Sequence, residues 1–187
     1  MNTISKVSGL LAPIVAFIGI IFAATTHPWF SLTENAISDL GATDVENNYI
    51  LNISLVISGV LATMFSYGLY TEQKTSLGRF GAILFLIGSI SLIMIGIFPE
   101  GTAPHFSVSV LFFEFASFGI LIVGLADVRQ WFRTFSIMLF LSAWILALIS
   151  IDVFEGVAIP ELIVAVAISA WVHSHILTEQ MMPSRGS

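Results

Sequence analysis

Ser38, Asp39 and His105 are the residue types of a nucleophile, an orienting acid and a base. They stand in two polar stretches of an otherwise apolar chain, Ser38-Asp39-Leu40-Gly41 and Phe98-Pro99-Glu100-Gly101-Thr102-Ala103-Pro104-His105. In the second stretch Pro99 and Pro104 stiffen a short turn, and Pro104 disfavours helical geometry at Ala103. His105 is therefore expected at a defined place rather than on a loose loop. If the three side chains meet, they form either a hydrolytic site or a structural imidazole–carboxylate contact. His27, Asp39, His105 and Asp152 also carry the right atoms for a divalent metal, the cofactor that this set admits. Glu114 is a fourth kind of candidate, an ionisable group inside a long apolar run.

The elements that must position these residues are membrane helices. The chain has 187 residues, of which 57% are hydrophobic and 10% charged, and its mean hydropathy is +0.98. A soluble domain of this size carries about 25% charged residues, so the expected class is an all-α transmembrane bundle forming a single domain over 1–187. Six apolar runs are each long enough to cross a bilayer, which takes about 20 helical residues. They lie near Ser8–Thr25, Ile50–Tyr70, Leu77–Phe98, Phe106–Ala126, Phe132–Ile151 and Val157–Leu177. The first run follows Lys6, as a signal peptide would. It is long for that role and lacks a small-x-small cleavage signature before His27-Pro28-Trp29, which reads as a retained helix.

The six basic residues are Lys6, Lys74, Arg79, Arg129, Arg133 and Arg185. With six crossings they all fall on one face, and the loops 26–49, 99–105 and 152–156 contain none. The positive-inside rule places that face and both termini in the cytoplasm of a multi-pass cell-membrane protein. The other face is acidic, with Glu34, Asp39, Asp44, Glu46, Glu100, Asp152, Glu155 and Glu161. The net charge of −6 gives no basic patch for nucleic acid. Cysteine is absent, which excludes disulfides, thiolate nucleophiles and iron–sulfur ligation.

In the first acidic loop, Ser31-Leu32-Thr33-Glu34 fits a capping box and Gly41 suits a helix stop. Over Ser31–Leu40, Leu32, Ala36, Ile37 and Leu40 share one half of a helix, and Glu34, Asn35, Ser38 and Asp39 the other. The expectation is a short interfacial amphipathic helix packed over the mouth of the bundle. Ser54, Ser58, Ala62 and Ser66 form a small-residue stripe, and Gly81, Gly88 and Gly96 recur in the third run. Both are signals of close helix packing. Glu114 lies eight positions beyond Phe106, about 12 Å deep at 1.5 Å per residue. An ionisable group there is expected to face protein or water, as a neutral glue between helices or as a proton site. His173 and His175, two apart on a helix, point in different directions and read as ordinary residues of the cytoplasmic interface. Trp29 and Trp131 suit the two aromatic belts.

The only lysines, Lys6 and Lys74, lie at a membrane edge, which excludes a buried retinal Schiff base. Phosphate-loop, dinucleotide and H-E-x-x-H patterns are absent.

Ile37-Ser38-Asp39-Leu40-Gly41 after the first helix, with Gly96-Ile97-Phe98-Pro99 and then His105 opening the fourth, resembles a family of small prokaryotic membrane proteins, domain-of-unknown-function family 998. The resemblance covers nearly the whole chain and implies six membrane helices, with no established activity. The motif positions it marks are Ser38, Asp39, Gly41, Phe98, Pro99 and His105. The chain also shares Ser, Asp and His with membrane hydrolases that resemble alkaline ceramidases, but lacks their pair of histidines four apart in a late helix. Three functions follow as expectations. The first is binding of a lipid, small ligand or partner helix at the extracytoplasmic face. The second is lipid hydrolysis or modification by Ser38, Asp39 and His105. The third is proton-coupled transport through Glu114 by a chain that forms homo-oligomers.

Overall fold

A computed structural model of the chain describes residues 1–181; Arg185 lies outside them. Its helices are α1 (Thr3–Thr26), α2 (Tyr49–Glu72), α3 (Ser76–Ile97), α4 (His105–Ala126), α5 (Gln130–Val153) and α6 (Ala158–Met181). All six are long and apolar enough to cross a membrane, and at 22 to 24 residues each spans the roughly 30 Å hydrocarbon core. Backbone polar groups in lipid must be satisfied within the segment, which is why such runs become helices. The α1 helix begins earlier than hydropathy alone suggests, because the Asn2 side chain accepts a hydrogen bond from Ser5 N at 2.8 Å and so caps it.

Small residues set how closely the helices approach. Across α3 and α4, a Cβ on Gly81 would lie 2.8 Å from Val123 N, one on Gly88 2.7 Å from Ala116 N, and one on Gly119 2.6 Å from Phe85 N. These contacts share one antiparallel register, and no side chain fits between the backbones. The serine stripe of α2 works in the same way. Ser58 Oγ donates to the Ala12 carbonyl of α1 at 2.8 Å, and Ser66 Oγ meets Ser89 Oγ of α3 at 3.0 Å. In lipid, packing and interhelical hydrogen bonds of this kind hold helices together in place of the hydrophobic effect.

The bundle has an acidic end and a basic end. At the acidic end the three loops are tied together. Thr43 N donates to Glu100 O at 3.0 Å, Gly156 N to Thr33 O at 2.9 Å, and Ala158 N to Asn35 O at 2.9 Å. At the basic end the Met1 ammonium group and Lys6 both pair with Glu179, at 2.6 and 3.3 Å.

The first acidic loop differs from the expected Ser31–Leu40 helix. Residues 31–35 form turns, Ala36 is extended at ψ 154°, and only Ile37–Gly41 is helical, as a short 3₁₀ segment. The reason lies in the hydrogen bonds. A helix would direct Ile37 N to the Thr33 carbonyl and Asp39 N to that of Asn35. Those two carbonyls are taken instead by Gly156 and Ala158, and Ile37 N donates to the Glu161 side chain. The cap still packs inward, with Leu40 fully buried and Ile37 nearly so, against Ala23, Leu51 and Ala158.

Candidate functional site

Beneath the cap lies a cavity lined by α1, α2, α3, α4 and α6, with α5 outside it. It leaves ≈ 120 Å³ open to the centre of a water molecule, against the roughly 10–15 Å³ that one water needs. Its shaft is apolar, walled by residues such as Phe17, Leu55, Phe65, Phe85, Phe113 and Ile168. Ser58, Ser89 and Ser169 also line the shaft, but their hydroxyls donate to helix carbonyls. The polar side chains that reach the cavity at the acidic end are Ser38 of the cap, Glu161 of α6 and Ser109 of α4.

Each of these three is held in place. Glu161 sits in the first turn of α6, where the helix dipole favours a carboxylate. Its Oε2 accepts from Ile37 N at 2.7 Å. Ser38 is carried by the 3₁₀ segment, whose entry is fixed by Asp39 accepting from Ala36 N at 2.8 Å. Ser109 lies one turn beyond His105 on α4, its Oγ 3.3 Å from His105 Nε2.

His105 is buried at the turn that Pro99 and Pro104 define. Its Nδ1 lies 2.8 Å from the Phe98 carbonyl and donates to it, since a carbonyl can only accept. Its Nε2 lies 3.1 Å from Glu100 Oε2. The polar partners of His105 are thus Phe98, Glu100 and Ser109. Asp39 bonds the backbone of its own segment, and among the described residues no hydrogen bond or ion pair joins it to His105 or Ser38. The sequence pointed to His105 and Ser38 but passed over Glu161 and Ser109 as site residues. The signal for Ser109 was present in its i, i+4 spacing from His105.

The four residues considered for a metal do not converge. Both His27 ring nitrogens are engaged by backbone carbonyls, of Ala23 and Glu46, each at 2.7 Å, and Asp152 is exposed on α5. Among the described residues no three His, Cys, Asp or Glu side chains are arranged to hold a metal ion.

Glu114 departs from expectation. It is exposed on the outward face of α4 and does not line the cavity. The rings of Phe118 and Phe140 meet across α4 and α5 at 5.3 Å. The antiparallel register then places Glu114 level with Trp144, whose buried Nε1 has no hydrogen-bond partner.

His175 is more than an interface residue. It is buried, stacks on Trp171 at 5.0 Å, and lies 3.6 Å from Glu72. Nearby, Arg129 Nε donates to Asp127 at 2.8 Å. Burial works to raise the Asp127 carboxyl, but the hydrogen bonds and charge of Arg129 outweigh it and hold the carboxyl below its ordinary range.

Residues 10–177 match the family model described as protein of unknown function (DUF998). The chain belongs to that family. No curated protein and no solved structure matches it. In this DUF998 protein the marked positions Ser38, Asp39, Gly41, Phe98, Pro99 and His105 all fall on the cap or on the turn beneath it. Gly41 O accepts from the Asn52 side chain at 2.9 Å, which anchors the cap to α2.

Proposed function

We propose that this DUF998 protein binds a lipid with a single apolar chain in the cavity inside its bundle, with the ligand's polar head at Glu161, Ser38 and Ser109. The observation that carries this reading is the cavity itself, apolar along its shaft and polar at one end. Along α6 it runs from Glu161 to Val172, about 16 Å at 1.5 Å per residue. That is close to half of the roughly 30 Å hydrocarbon core, the depth of one leaflet. Pockets of this form bury most of a ligand's surface on apolar walls and orient it with a few polar groups. A photoreactive long-chain alcohol bearing a terminal diazirine tests the reading. Crosslinks are expected near Phe65, Phe85 and Val172, at the deep end. Labelling confined to outward positions such as Ile18 or Phe106 would contradict it.

The Ser109–His105 contact supports a second reading, hydrolysis of a lipid ester at the cavity mouth. His105, its Nδ1 proton held by Phe98 O, would accept at Nε2 the proton of Ser109 as the hydroxyl adds to the ester carbonyl, and would give that proton to the departing alcohol. Ser38, at the same mouth, is the other candidate hydroxyl. A fluorophosphonate probe that labels the wild type but not Ser109→Ala or Ser38→Ala would favour this reading, and no labelling at either serine would remove it.

The partition of basic residues supports a cell-membrane location with the basic end and both termini in the cytoplasm. Reporter fusions at Lys74 and Arg129 are expected to report inside, and an outside signal at either would reverse the orientation.

A further inference from the structure

We propose that the head group seated at the cavity mouth is an uncharged or cationic hydrogen-bond donor, an alcohol or amine, and that carboxylate and phosphate heads on the same chain are rejected. This rests on the cavity-binding reading above and adds the sign and chemistry of the ligand.

Of the Asp, Glu, Lys and Arg side chains, only carboxylates stand at the mouth. Glu161 reaches the cavity, Asp39 is the neighbour of the lining residue Ser38 on the cap, and Glu100 faces His105, one turn from the lining residue Ser109. No Lys or Arg occurs in the three loops at this end. The described basic residues sit at the opposite ends of the helices, a hydrocarbon thickness of roughly 30 Å away. The one imidazole close to the mouth, His105, already faces Glu100 at 3.1 Å. His27 spends both ring nitrogens on carbonyls. An entering anion would meet carboxylates with no basic side chain beside them, and like charges repel.

Two of the backbone donors at the mouth are also taken by the chain's own acids. At the start of the 3₁₀ segment, Ala36 N donates to Asp39 and Ile37 N donates to Glu161. What remains open to a ligand is the second oxygen of Glu161, which accepts as a carboxylate, and the hydroxyls of Ser38 and Ser109, which can accept or donate. An alcohol or amine finds acceptors in this set, whereas a carboxylate or phosphate finds a carboxylate and no Lys or Arg to offset its charge.

The test uses the full chain in phosphatidylcholine nanodiscs, with myristyl alcohol, myristylamine and myristate as competitors against radiolabelled myristyl alcohol, at a pH where the acid is ionised. The alcohol and the amine are expected to compete, with myristate at least about tenfold weaker. Glu161→Gln, which keeps the acceptor oxygen and removes the charge, is expected to narrow that gap. Myristate binding as tightly as the alcohol to the wild type would overturn the head-group assignment while leaving the cavity reading intact. No saturable binding of labelled alcohol would overturn the cavity reading itself. The three-ligand comparison is made on the wild type, so it stands whether or not the variant folds.

Discussion

Glu161 accepts a hydrogen bond from the backbone of Ile37 at 2.7 Å, joining residues 124 apart in the sequence. The bond fastens the cap to the first turn of α6 and sets one carboxylate oxygen at the cavity mouth. Glu161→Ala leaves Ile37 N without its partner, and an unsatisfied buried donor costs about 1–3 kcal/mol. Lower thermal stability and faster thiol labelling of a Ser38→Cys reporter are expected. Unchanged labelling would mean that the cap does not depend on this bond.

Gly156 is the second fastening. A Cβ there would lie 2.3 Å from both N and O of Asn35, which are backbone atoms and cannot rotate away. Gly156→Ala is expected to push the cap off the α5–α6 turn at a cost of about 1–3 kcal/mol, the usual range for overpacking. Thermal unfolding in detergent reads the loss. Wild-type stability would show that the loop moves freely.

Glu114 should be a burden on the isolated chain. It is exposed on α4, at a depth of about 13 Å from His105, where charged side chains cost about 2.5–3.5 kcal/mol on insertion scales. Glu114→Leu is expected to raise the unfolding temperature. A fall in stability would show that another chain covers this face.

The Asp127 carboxyl, held below its ordinary range chiefly by Arg129 against the opposing effect of burial, makes stability depend on acid. A depressed folded-state value means that the unfolded chain takes up the proton first as pH falls. The contribution is full above the unfolded value of about 3.9 and is lost as pH drops through the lower folded value. Asp127→Asn should flatten the acid limb of a stability–pH curve in that window and leave its slope near neutrality unchanged. An acid limb identical to that of the wild type would remove the assignment.

The six helices were legible because lipid leaves the backbone few alternatives, so an apolar run of the right length is nearly a structure in itself. The serine stripe of α2 and the glycines of α3 were legible for a related reason, since small residues at helical spacing have little use except close approach. The first acidic loop was not. Ser31 and Glu34 have the spacing of a capping box, but bonds from Gly156 and Ala158 to Thr33 O and Asn35 O take the carbonyls that a helix needs. Those partners lie more than a hundred residues away, and no local pattern announces them. Glu161 was read as one more acidic residue for the same reason. Its role comes from what the cap places against it.

The central claim is that the cavity holds one apolar chain, and native mass spectrometry of the purified protein tests it most directly. The wild type is expected to carry a co-purified ligand of lipid mass, released on unfolding. Ala165→Phe, which builds a ring into the shaft beside Glu161, is expected to lose that ligand and keep its six helices by circular dichroism. A wild type that flies without ligand, or a filled variant that binds as much lipid as the wild type, would contradict the account.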